Sequence, residues 1–138
     1  MKKTLRIFAL AMVTVMLCLA LVSCTGPNSD PKEALDALKE NDYVATKDNT
    51  IAPGVLSLLG IKEVDCVVSG SAKIDDKIET VTIIYFEEAE DAEAAWEAAQ
   101  DYADDKKDSE DAEDDDWVCK KSGKMIYFGT KNAIKATK

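Results

Sequence analysis

The side chains with the widest chemical reach are four cysteines, Cys18, Cys24, Cys66 and Cys119, and 27 carboxylates set against 17 basic groups. Histidine is absent. Without imidazole there is no Ser-His or Cys-His nucleophile, no His-ligated metal and no imidazole pH switch. No two cysteines form a C-x-x-C pair, so thioredoxin-like exchange has little support. Ser57, Ser69, Ser71 and Ser122 lie in neither a G-x-S-x-G nor an S-x-x-K setting. Carboxylate pairs such as Glu87/Glu88 and Asp104/Asp105 are too plentiful to single out a glycosidase pair. The acidic run 108–116 is a weak Ca²⁺ candidate through Asp108, Asp111, Asp114 and Asp116, because hard oxygen ligands suit that ion. It lacks the glycine and spaced terminal glutamate of an EF-hand loop. A net charge of −10 argues against nucleic acid as a partner.

Cys24 stands apart because of what precedes it. Lys2, Lys3 and Arg6 form a basic start, and an apolar run from Ile7 to Val22 follows, broken only by Thr14 and Cys18. Sixteen residues are short for a membrane-spanning helix, which needs about 20, and suit a secretory signal. The run closes on Leu21-Val22-Ser23-Cys24. This resembles the lipobox of bacterial lipoproteins, with an aliphatic residue at −3, a small one at −1 and the cysteine at +1. The resemblance covers residues 1–24 only. It implies cleavage after residue 23, a diacylglyceryl group on Cys24 and a membrane-anchored protein facing outside the cytoplasm. Thr25, rather than Asp, follows the cysteine, which would permit outer-membrane sorting in a Gram-negative envelope.

Cleavage would remove three basic and no acidic side chains, leaving 115 residues with 14 basic and 27 acidic groups, a net −13. Residues 24–30 form a lipidated cysteine and short tether, and 31–138 a single domain. Thr25–Asp30 reach at most ~20 Å. Acids dominate 87–116, at 16 against two lysines, whereas 117–138 carries six lysines and no acid. The expected arrangement is a solvated acidic helix face and loop, with the basic segment paired to it. A domain of this charge should be repelled by anionic lipid. Cys66 and Cys119 stay with the domain, in a compartment where disulfides form. A bridge between them would contribute about 4 kcal/mol; the alternative is two buried free thiols.

The elements that must carry these residues are legible in the periodicity. Ser29 or Asp30 caps a helix with Pro31 in its first turn, an Ala34/Leu35/Leu38 stripe and Asn41 as its end. Residues 43–46 suit a short strand and 53–59 a short helix. A hairpin spans 63–74 and 78–86, with Val64, Cys66 and Val68 alternating on one face and a turn at 75–77. The strongest helix is 90–105, with Ala92, Ala95, Trp96, Ala99, Tyr102 and Ala103 on one stripe and Trp96 as its large core anchor. The low-complexity stretch 104–116 reads as a mobile acidic loop. A second hairpin spans 117–121 and 124–130, turning at Ser122-Gly123, with Trp117 opposite Phe128 and Cys119 opposite Ile126. Met125, Tyr127 and Tyr85 fall on a face that could meet a partner, and Thr130 can cap a last helix over 131–137.

The expected fold is α+β, an antiparallel sheet of four to five strands from two hairpins, with a long helix and short helices on one face. The expected function is a lipid-anchored, non-catalytic binding or envelope-interaction domain, with no cofactor beyond its lipid and an unidentified protein or envelope partner. The alternatives are a Ca²⁺-responsive acidic module and a small envelope enzyme or thiol redox protein using Cys66 and Cys119.

Overall fold

A computed structural model describes residues 26–48, 64–110 and 112–138. The short helix expected at 53–59 lies outside them, as do Cys24 and Asp111.

Helix α1, Pro31–Glu40, starts where the sequence places it. The Asp30 carboxylate accepts from the backbone N–H of Lys32 (2.8 Å) and of Glu33 (3.3 Å), and Asn41 ends the helix. Strand β1, Val44–Asp48, follows. Strands β2, Val64–Ile74, and β3, Lys77–Phe86, form the long hairpin, turning on Asp75 and Asp76, both at positive φ. Helix α2 runs from Ala89 to Ser109. Strands β4, Trp117–Ser122, and β5, Met125–Thr130, form the second hairpin, and α3, Lys131–Lys135, completes the order.

The five strands make one antiparallel sheet in the order β1-β2-β3-β5-β4, as an α+β chain with two hairpins should. The helices, however, are not all on one face. Cys66, Val68, Val81, Ile83, Tyr85 and Tyr127 point to the side of α1 and α3, where Ala34, Leu38 and Ile134 meet them. Ile84, Phe86, Ile126 and Phe128 point to the other side, against α2. Both faces of β3 and β5 are apolar, so each needs its own cover. In α2 the fully buried residues are Ala92, Ala95, Ala99 and Ala103. Their small side chains bring the helix axis close to the sheet, and Trp96 lies half-buried at the flank rather than at the centre.

Three further expectations change in register or length. Helix α2 continues through Ser109, six residues into the stretch expected to be a mobile loop, and Asp114–Asp116 form a single 3-10 turn. Lys106 and Lys107 fall in the last turn of α2, where cations oppose the helix dipole favourably. The second hairpin turns at Gly123-Lys124, so Cys119 faces Phe128 and Trp117 faces Thr130. A turn shifted by one residue moves cross-strand partners by two, which preserves the faces. A bulge between Val64 and Cys66 sends Val64 to the α2 side while Cys66 and Val68 stay on the other. Thr130 precedes α3 without capping it through its side chain; its hydroxyl donates to the Thr80 carbonyl.

Candidate functional site

The residues singled out by sequence do not converge. Cys66 is buried on β2 under α1, and Cys119 is on edge strand β4 on the α2 side. Three strand spacings, ~14 Å, and opposite faces of the sheet separate them, whereas a disulfide needs Cα atoms within about 7 Å. Both are free thiols. Burial pushes both thiols up, Cys119 to about 11 with help from Asp104. A thiol held above its ordinary range is a poor nucleophile at neutral pH.

The acidic run is dispersed. Asp108 stands on α2, Asp114 pairs with Lys107, and Asp116 borders a hollow of about 270 Å³ with Asp76, Glu110 and Glu113. Lys77 and Thr130 share that hollow, and Thr80 donates its hydroxyl to Glu110 at 2.5 Å. Among the described residues no three Cys, Asp or Glu side chains are grouped so as to hold a metal ion.

Met125, Tyr127 and Tyr85, expected on an exposed face, are buried. They belong to the core under α1 and α3, and the segment expected as a free tether folds back over the two tyrosines. Pro27 is buried, the Tyr85 hydroxyl donates to the Asn28 carbonyl at 2.7 Å, and the Asn28 N–H donates to the Thr137 carbonyl at 3.3 Å. Gly26 lies against the Tyr127 ring, where an added methyl would stand 3.3 Å from the hydroxyl. The Tyr85 hydroxyl is raised above its ordinary value, first by burial and then by Cys66 and Asp30.

Two features were not foreseen. Glu79 is buried on β3, one carboxylate oxygen accepting from Asn132 at 3.2 Å and the other without a partner. The strand alternation does place residue 79 with Val81 and Ile83, but nothing local distinguishes an inward glutamate from an outward one. The second is the disposition of the C-terminal lysines. Lys121 forms a salt bridge to α2, through Glu93, with its ammonium 5.7 Å from the Trp96 ring centre. Lys120, Lys131, Lys135 and Lys138 instead rim a groove of about 250 Å³ on the opposite face, floored by Val118, Tyr127 and Ile134. The basic segment is therefore split by the sheet rather than paired as a block with the acidic helix.

The chain matches no protein-family model, no curated protein and no solved structure. Function therefore rests on the chain's own chemistry.

Proposed function

We propose that this protein is a lipid-anchored lipoprotein displaying a small, non-catalytic α+β binding domain on the outer side of a cell membrane. The observation that carries the reading is the placement of the first described residues. Gly26–Asn28 are held against the α3 face by backbone and tyrosine hydrogen bonds, two residues after the lipobox cysteine. Cleavage before Cys24 would leave every described residue of the sheet and of its two cores in the chain, and the acyl chains would emerge beside a fixed face. Two acyl chains give stable anchoring where one does not.

The same geometry supports a display role. Helix α2 lies on the sheet face opposite Gly26, and its exposed acids Glu90, Glu97, Asp101, Asp104 and Asp105 form a continuous anionic surface. A partner there would be basic. The intact mass of protein extracted from its native membrane, alkylated with and without prior reduction, tests the anchor. The expected mass is that of residues 24–138 plus acyl chains, with Cys66 and Cys119 alkylated equally in both samples after denaturation. The full 138-residue mass would refute it, and Cys24→Ala should abolish lipid attachment and membrane retention.

A further inference from the structure

Four of the six lysines in 117–138 gather at one groove. Its rim is Lys120 on β4, Lys131 and Lys135 one turn apart on α3, and Lys138; its floor is Val118, Tyr127 and Ile134. No Asp or Glu side chain is among its lining residues. Like charges four residues apart on a helix repel, and an anion seated between them would relieve that. The floor is apolar, so the groove suits a ligand with a phosphate and an adjoining hydrocarbon or glycerol portion.

The position of the first described residues says what that ligand is. Tyr127 forms part of the floor, and Gly26 packs on the same ring. Cys24 is two peptide units upstream, so its Cα lies within ~7 Å of that of Gly26. An acyl chain attached there brings the bilayer surface to the lysines. The anionic helix α2 lies across the sheet, more than a helix diameter of ~10 Å away, and the exposed acids of α1, Glu33, Asp36 and Glu40, share the α3 side of the sheet but are not among the groove's lining residues.

We propose that this groove docks on the anionic phospholipid headgroups of the bilayer that holds the Cys24 anchor, laying the α3 face on the membrane and turning α2 outward. The lysines take the phosphates, and the Val118/Tyr127/Ile134 floor takes the glycerol and upper acyl region. The inference rests on the anchored-lipoprotein reading. It replaces the expectation that net charge alone would hold the domain away from anionic lipid.

The test uses the lipidated protein reconstituted in phosphatidylcholine vesicles and in mixed phosphatidylglycerol–phosphatidylcholine vesicles, with amine-reactive labelling read by mass spectrometry. Each lysine near an anionic surface shifts docking about five-fold, and three together on the order of a hundred-fold. Labelling of Lys120, Lys131 and Lys135 should slow about ten-fold or more in the anionic vesicles. Lys106 and Lys107, on the α2 side, should label equally in both. Protection should vanish in about 0.5 M salt, where the Debye length is roughly 4 Å. In the Lys120→Gln/Lys131→Gln/Lys135→Gln variant the protection of Lys138 should be lost; all three positions are exposed, so the fold is retained.

Equal labelling in both vesicle types overturns the proposal. So does protection in phosphatidylcholine that rises with protein density, which would mean a second copy's acidic helix occupies the groove. Failure to float with phosphatidylcholine vesicles is a failure of the anchor, not of the groove. In that case flotation with phosphatidylglycerol vesicles, lost in the triple variant, still supports the groove, and its absence overturns it.

Discussion

Gly129→Ala should be among the most damaging single-methyl additions in the domain. Gly129 lies on β5 between β3 and β4, paired with Val81 on one side and Val118 on the other. Its φ is +151°, and a methyl there would sit 2.2 Å from the Thr80 carbonyl oxygen and 2.7 Å from the Val81 Cα. Both obstacles are backbone, so no side-chain rotation gives relief, and the β3–β5 ladder must open. The dihedral penalty is about 1–3 kcal/mol, and overpacking adds roughly 1–3 kcal/mol. A combined loss of about 2–6 kcal/mol is a large part of a typical domain stability of roughly 5–15 kcal/mol. Urea unfolding followed by Trp fluorescence should show the midpoint falling with little change in slope. Gly123→Ala is the matched control, because its φ is +57° but no atom lies within 4 Å of the added methyl. That variant should lose only the backbone part, about 1–2 kcal/mol. Equal losses at the two positions would refute the claim that strand proximity, rather than dihedral preference, fixes residue 129.

Asp76→Gly should stabilise the β2–β3 turn by about 0.5–1 kcal/mol, since Asp75 and Asp76 both hold positive φ and glycine is freer there; a fall in Tm would count against this turn geometry. Ala99→Leu, at a fully buried position where α2 meets the sheet, should cost about 1–3 kcal/mol by thermal unfolding, and a neutral effect would mean that α2 stands further off. Stability should decline as pH rises from about 9 to about 11. The ordinary thiol value is 9.0, the folded Cys119 thiol is pushed up to about 11 by burial and then Asp104, and burial raises Cys66 as well. Over that window the unfolded chain loses protons that the folded chain keeps, so unfolding gains ground. Burial of Tyr85, Tyr43 and Tyr127 acts in the same direction at higher pH. The urea midpoint should therefore drop across this range, less steeply in Cys119→Ala, and a flat profile would refute it.

The elements were legible because their signals are local. A carboxylate one residue before proline, an alanine stripe at helical spacing and a β-branched run each act within a few residues. The partition of helices between two faces was not local. Ile78–Phe86 reads as apolar on both sides, and only the positions of the other strands reveal that the two sides meet different helices. The end of α2 was missed for a related reason. A run of acids is a poor prospect for burial, yet Ala103 keeps the stripe in place and Lys106 and Lys107 favour the helix terminus. Val64 was missed because a single bulge reverses every side chain before it. The candidate site was least legible, since it joins residue 26 to residues 118–138 through Tyr127, and no short-range pattern records that approach.

Sheet parity then explains how one strongly acidic chain can hold a locally basic groove. On β4, Lys121 points to α2, where it meets Glu93 and covers Trp96, while its neighbour Lys120 points to α3 and joins the groove. The pairing of β4 with β5 fixes which lysine goes which way, because a one-residue slip would exchange them. With β5 held by β3, the slip would also carry Val118 out of one core and Cys119 out of the other. Hydrophobic burial on both faces therefore fixes the charge map as well as the register. Net charge describes the chain as a whole, whereas a surface within a Debye length senses only the face turned toward it. For this domain the two have opposite signs at the groove beside Gly26, and the membrane orientation proposed above rests on the local one.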